Sequence, residues 1–480
     1  MSRNEGSRTK KFRFRKFFIE HFKKKGYTNT RRTKKFRFRK TIKRCNMVIK
    51  RDYYLNKLIA KKGNGLVKII TGVRRCGKSF LLFDLFYNHL IEDGVSRENI
   101  ITLKLDEVGN VKYRNPFELD KYIKEKIKDQ KKHYYVFIDE IQFVDDVENP
   151  WLKGSANKIG FVDVLLGLMN FKNLDVYITG SNSRMLSKDI VTQFRDRGDS
   201  IHLFPLSYAE YCKASKGDSE ATWQDYMTYG GFPRIMHLRN SQEKVEYLKS
   251  LFSNTYLKDV LERNKIKNDK ENIDDLIKIV ASSVGSLTNP NKIANTFKSV
   301  KQISINSATI DLYLDYFVDA FILSKVYRYD IKGRKYIGSP LKYYFVDVGL
   351  RNALLNYRQQ EENHIMENII YNELVLRGYN VDVGAINHRY INKEGKDIKT
   401  KIEVDFIATL GNKKIYIQSA LNIDSQEKRL QETASLKKIN DSFKKIVVIK
   451  DDIIPWIDDY GIHYIGTRKF LTNGEDLENI

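Results

Sequence analysis

Short apolar runs alternate with stretches of helical period between residues 66 and 182. LVKIITG, NIITLKLDE, YYVFIDEIQ and LDVYITGSN read as buried strands, and SFLLFDLFYNHLIEDG, after a glycine-bounded loop, reads as a helix. Strands alternating with helices predict a parallel, doubly wound α/β sheet. From about residue 211 to 320 the period turns helical. Ile310, Leu314 and Phe317 share one helical face there, behind a preceding helix NPNKIANTF. Two aromatic-rich β segments follow, FILSKVYRYDIKGRKYI and LKYYFVDVG. Beyond about residue 358 the pattern is mixed again, with a helix ENIIYNELVLRG and strands KIEVDFIATL, KKIYIQSAL and KIVVIK.

A chain of 480 residues has room for about three domains with separate cores. Hydrophobic residues at 41% and aromatics at 12% exclude a disordered chain. No apolar run approaches the roughly 18 residues of a membrane span, and the N-terminus has no signal-peptide core. Cys45, Cys76 and Cys212 lie too far apart for a disulfide framework or a metal site. These readings predict a soluble, cytoplasmic protein with no membrane partner.

The formal charge of +25 changes meaning once it is located. Residues 1–46 hold 19 Lys and Arg against Glu5 and Glu20, so they carry +17 and the other 434 residues only +8. That segment also contains TKKFRFRK twice, at Thr9–Lys16 and Thr33–Lys40. Two readings stand. It is a disordered arm whose cations neutralise phosphates while Phe stacks on bases, or the native protein starts at Met47, where an ordinary amphipathic lead-in begins.

The chemistry starts at GVRRCGKS, Gly72 to Ser79, which has the form G-x-x-x-x-G-K-[ST] between a predicted strand and helix. Gly72 and Gly77 permit a loop whose amides converge on phosphate oxygens, and the helix adds its positive end. Lys78 would reach the β- and γ-phosphates of ATP or GTP, and the Ser79 hydroxyl would ligate Mg²⁺. Cys76 reads as a loop residue without a chemical role. YYVFIDE supplies the carboxylates such a loop requires: Asp139 for Mg²⁺, through water, and Glu140 as general base toward the attacking water.

With GVRRCGKS, FIDEIQ, ITGSNSRML, LFPLSYAEY, YGGFP, FVDVGL, ENIIYNEL and EVDF in that order, the chain resembles AAA-type ATPases over residues 47 to about 450. One prokaryotic subgroup is similar throughout, with a winged helix and a C-terminal restriction-endonuclease-like domain of unknown function after the ATPase core. The resemblance implies an α/β fold of several parts. A parallel P-loop core over 47–210 would be followed by a helical lid over 211–270, a winged helix over 271–357 and the nuclease-like α/β domain over 358–480. It also implies a γ-phosphate sensor at Ser181 or Asn182. The family's Gly-Arg pair is Asp196-Arg197 here, so Arg197 stands as a transition-state arginine, in its own chain or on a neighbouring subunit, or as a surface residue. RYDIKGRKY would be the wing, with cations able to touch a duplex backbone.

Nucleases of the restriction type surround Mg²⁺ with a helix Glu, a strand Asp and an (E/D)-x-K strand. The corresponding helix offers Glu367 and Glu373, and the first strand offers Glu403 and Asp405 on one face. The next strand has Gln418-Ser419-Ala420 where the family has Glu-x-Lys. The expectation is a nuclease fold that cuts nothing. Three functions follow: an ATPase whose nucleotide state controls binding of a partner such as DNA by its C-terminal domains, an ATP-dependent nuclease, or a nucleotide-gated scaffold touching only protein. A homo-oligomer is allowed if Arg197 works between subunits.

Overall fold

A computed structural model describes residues 48–480 apart from 152–157, 181–196, 216, 267–268, 359–360, 392–394, 396, 474–476 and 478–480. The basic segment 1–46 therefore lies outside the described residues, as do Ser181, Asn182 and Cys45.

The four predicted strands form at β1 (Val67–Thr71), β2 (Ile100–Lys104), β3 (Tyr134–Asp139) and β4 (Leu174–Thr179), and a fifth, β5 (Gly198–His202), joins them. All pairings are parallel, in the order β2-β3-β4-β1-β5. Alternation along each strand sorts side chains onto two faces. Ile70, Tyr135, Phe137, Tyr177 and Ile201 face one core with Leu81, Leu82 and Phe86 of the helical run after the loop. Val67, Ile69, Val136, Ile138, Val176 and Ile178 face the other, under Leu119, Ile123 and Leu165 from helices Pro116–Lys126 and Phe161–Leu168. Asn115 caps the first of these helices at the Phe117 and Glu118 amides, and Pro116 starts it where its missing N–H costs nothing. Helices on both faces make this the parallel core that the alternation predicts. β5 escaped the pattern because GDSIH contributes only one wholly buried side chain.

Residues 208–319 are helical apart from loops. Helix Ser307–Asp319 buries Ile310, Leu314 and Phe317, the face expected from its sequence, behind helix Pro290–Thr296. A hairpin of β6 (Leu323–Asp330) and β7 (Lys335–Phe345) follows. It belongs to an eight-stranded sheet with β8 (Asn380–Ile391), β9 (Asp397–Leu410), β10 (Lys413–Ala420), β11 (Lys444–Ile449), β12 (Trp456–Ile457) and β13 (Ile462–Gly466). The order is β12-β13-β11-β10-β9-β8-β6-β7, and β8 runs parallel to β6 through Val383–Arg328, Gly384–Tyr329 and Ala385–Asp330. One sheet thus crosses residue 357, so the hairpin and the C-terminal strands are joined by backbone hydrogen bonds. Helix Glu362–Leu376 packs on it, with Ile369, Ile370 and Leu374 in the main core. No helix among the described residues is long and apolar enough to cross a membrane.

Candidate nucleotide site

The loop after β1 is fixed by contacts only glycine allows. Gly72 has a φ of 141°, and a Cβ there would lie 2.1 Å from the Leu203 carbonyl oxygen. Lys78 is buried, and its Nζ donates to the Gly72 and Val73 carbonyls at 3.0 and 3.2 Å. Arg51 braces the loop from the segment before β1. Its guanidinium donates to the Cys76 carbonyl at 3.1 Å, the Phe204 carbonyl at 2.8 Å and Glu210 at 2.8 Å. The Cys76 thiol is wholly buried, and burial pushes its pKa up, so it stays an unreactive thiol.

The strand order puts β4 between the loop strand and the carboxylate strand, and Thr179 at its end ties the two acids together. Its hydroxyl donates to Asp139 Oδ1 and accepts the Glu140 N–H at 3.0 Å. Glu140 has a φ of 54°, a left-handed conformation uncommon for this residue, which turns the chain sharply out of β3. Such strain persists only where the surroundings impose it. The Gln142 amide donates to the Glu140 carboxylate. The loop with Lys78, and Asp139 with Glu140, therefore lie at the carboxyl ends of β1 and β3 with β4 between them, the end where ligands bind in open α/β sheets.

Three contacts at this end were missed in the sequence. His202, ending β5, lies 2.9 Å from the Thr71 hydroxyl and between the Phe204 and Phe321 rings. Burial, aided by the Lys78 charge, pushes its pKa down to about 4, so the ring is neutral at pH 7. Arg74 in the loop donates to both Asp259 oxygens at 2.8 Å, and Arg263 approaches the same carboxylate at 3.8 Å. The Tyr256 hydroxyl adds a 2.6 Å bond to the Arg74 carbonyl. Isolated helix residues carry no signal for these pairings.

Arg197 is exposed, and its carbonyl accepts the Val67 N–H at 3.1 Å, at the start of β1 and β5. The whole length of β1, about 15 Å at ~3.3 Å per residue, separates it from Gly72. It does not reach its own chain's loop.

A second charged cluster lies in the large sheet. Glu367, Glu403 and Asp405, predicted on one helix and one strand, converge around Lys342 of β7. The buried ammonium is 2.7 Å from Glu367, 2.7 Å from Glu403 and 3.8 Å from Asp405. The Tyr344 hydroxyl donates to Glu367 at 2.5 Å, while the Gln418 amide and the Ser419 N–H each donate to Asp405 at 2.9 Å. The Lys342 ammonium holds Glu367 below its ordinary range, and burial raises Asp405. Glu373 stands apart, bound to Arg377 at 2.7 Å. Ala420 is buried in a neighbouring apolar cluster. Among the described residues, no group of three or more His, Cys, Asp or Glu is arranged to hold a metal ion.

Three sequence motifs meet elsewhere in the fold. The Asp347 carboxylate accepts the Gly231 N–H at 2.6 Å and the Leu350 N–H at 3.0 Å, and the Gly231 carbonyl accepts the Leu206 N–H at 2.7 Å. Gly230, Gly231 and Gly349 are packed so closely that any Cβ would stand 2.0–2.2 Å from a neighbouring atom. LFPLS, YGGFP and FVDVGL are thus one joint.

Residues 64–212 match an AAA domain family, and residues 220–361 match a domain of unknown function, DUF8612. An uncharacterized protein of Haemophilus influenzae is 33% identical over 407 residues, covering 84% of this chain and 93% of its own. This chain belongs to that family of AAA-domain proteins. The family includes the uncharacterized protein MJ1544 of Methanocaldococcus jannaschii, 30% identical over 410 residues and 82% of each chain. Among solved structures, the Walker-type ATPase PABY2304 of Pyrococcus abyssi aligns at 16% identity and a TM-score of 0.45, over 64% of this chain and 96% of its own. An AAA domain implies a nucleotide and Mg²⁺, and the donors fit that pair. A glycine-bounded loop and a buried lysine accompany hard oxygen donors on Ser79 and Asp139 at one end of the sheet.

Proposed function

We propose that this protein is an ATPase whose nucleotide state sets how its C-terminal half binds DNA. The observation that supports it most is that the glycine-bounded loop with Lys78 lies at the same end of one parallel sheet as Asp139 and Glu140. In this reading Gly72, Gly77 and the helix amides seat the phosphates of ATP, and Lys78 leaves its carbonyl partners for them. Ser79 and Asp139 hold Mg²⁺, which when bound offsets phosphate charge. Glu140 takes the proton of the attacking water, the Thr179 bond keeping its backbone in place. Asn182 or Ser181 senses the γ-phosphate, and Arg197, too far from its own loop, acts on the site of a neighbouring subunit.

The Arg74–Asp259–Arg263 contacts pass a change at the loop to the helical segment 211–270, and the Asp347 joint passes it on. We read 271–357 as a winged helix, from three helices followed by a hairpin. We read 358–480 as a restriction-endonuclease-like fold that does not cut, since Lys342 stands among its carboxylates where a metal would bind. Steady-state ATP hydrolysis with and without duplex DNA tests the reading; turnover in Mg²⁺ that changes several-fold on adding duplex supports it. Supercoiled DNA incubated with the protein, ATP and Mg²⁺ or Mn²⁺ should stay uncut; nicking that disappears in Asp405→Ala would restore the nuclease reading.

A further inference from the structure

Two hairpins leave one end of the large sheet, and they hold most of the charge that the first 46 residues do not. Residues 331–335 carry three cations and no acid, and residues 387–401 carry five cations against two acids. Twenty residues thus hold +6 of the +8 found in residues 47–480. The pairing of β6 with β8 ends at Asp330 and Ala385, so both hairpins leave the sheet at the same place.

Beyond Ala385, β8 and β9 continue as a two-stranded ribbon without other strand partners among the described residues, paired from Asn387–Lys401 to Ile391–Asp397. Six residues past Ala385 extend it by about 20 Å at ~3.4 Å each. Alternation gives this ribbon two different faces. Arg389 opposes Lys399, and Asn387 opposes Lys401, on one face; the other has His388 stacked 5.5 Å from Tyr390. Arg389, Lys399 and Lys401 are exposed, although Arg389 is bonded to Asp397 at 2.6–2.7 Å. Lys399 and Lys401 precede Glu403 in steps of two, so the basic face continues the face that carries the neutralised carboxylates. The neighbouring tip presents Lys332, Arg334 and Lys335, all exposed.

We infer that the ribbon of 387–391 paired with 397–401 is a duplex-DNA docking arm, its basic face in a groove and the 331–335 tip on adjacent phosphates. A two-stranded ribbon fits the major groove, and cations on it exchange with condensed counterions. The inference rests on the proposal that DNA is the partner and names the surface that takes it.

The test compares the full chain with Arg389→Glu/Lys399→Glu/Lys401→Glu, by anisotropy of a labelled 25-base-pair duplex across a KCl series. A control, Lys121→Glu/Lys131→Glu/Lys249→Glu, makes the same charge change at exposed sites elsewhere. Each lost phosphate contact reduces the steepness of log K against log salt by about 0.9. The ribbon variant should lose two to three units of slope and at least tenfold in affinity near 0.15 M salt, while the control stays within about threefold. Lys332→Glu/Arg334→Glu/Lys335→Glu serves as a second variant on a separate hairpin, with an expected loss of one to three units. Unchanged binding by both variants, or an equal loss in the control, overturns the arm and leaves DNA as partner. No duplex binding by the full chain at any salt removes DNA itself.

Discussion

Two carboxylate clusters in this chain have similar components, but only one is built around a buried lysine. At the loop, Asp139 and Glu140 end a strand, with the neutral Thr179 hydroxyl on Asp139 and the neutral Gln142 amide on Glu140, while the charges of Arg74 and Arg263 act on Glu140 from outside the strand. In the large sheet, Glu367, Glu403 and Asp405 share a buried ammonium, with an amide and a backbone N–H completing Asp405. Neutral donors orient carboxylates while leaving their charge for a cation. A lysine among them supplies the cation from within and makes the cluster a structural joint between β7, helix Glu362–Leu376 and β9. The difference is which cation the fold supplies, and acids alone do not reveal it.

The comparison breaks most visibly if the loop lysine is dispensable. Lys78→Ala should weaken ATP binding by at least a hundredfold in equilibrium titration, and near-native affinity would contradict the assignment. Next in size, Lys342→Met should destabilise the protein by about 3–5 kcal/mol, the usual cost of leaving buried charges unpaired, read as a shift in urea unfolding. Gln418→Glu with Ala420→Lys, which rebuilds the Glu-x-Lys pattern, should still not cut DNA while Lys342 is in place. Cutting by that double variant would mean Lys342 does not block a metal.

Asp347 gives a pH signature at the joint. Burial outweighs its backbone hydrogen bonds and pushes its pKa up to about 6 from 3.8. A carboxyl with a raised folded pKa contributes stability that is full below 3.8 and lost as pH rises through about 6, because the folded state binds the extra proton. Its share is roughly 2–4 kcal/mol at ~1.4 kcal/mol per unit. Asp347→Asn should therefore flatten the decline in unfolding free energy between pH 4 and 6.5 relative to the native chain; parallel curves would count against a buried proton at Asp347. Thr179→Val is the finest probe. It removes one hydroxyl from both acids and should slow turnover about tenfold with nucleotide affinity near native, so unchanged turnover would sever Thr179 from the site.

GVRRCGKS and the strand ending in Asp139 and Glu140 could be read from the sequence because their signals are local, a spacing of glycines and a run of apolar residues. Thr179 lies forty residues from Asp139, and only the insertion of β4 between β1 and β3 brings them together. Arg197 shows the limit from the other side. The family's Gly-Arg position marked it as a transition-state arginine of its own or a neighbouring chain, or as a surface residue, and the direction of β5 carries it to the end of the sheet away from its own loop. The acids of the large sheet were found as a set, but Lys342 sits in a hairpin read as part of a different module. Nothing local in LKYYF says that its lysine is buried among carboxylates. Sheet membership, a long-range property, decided each case.

The central claim is that Glu140 acts on the attacking water while Lys78 and Asp139 hold the nucleotide. It is tested most directly by ATP titration and single-turnover hydrolysis of Glu140→Gln beside the native chain in Mg²⁺. ATP should bind within about threefold of native affinity and be hydrolysed at least a hundredfold more slowly, as expected for loss of a general base. Hydrolysis at the native rate by Glu140→Gln would contradict the account.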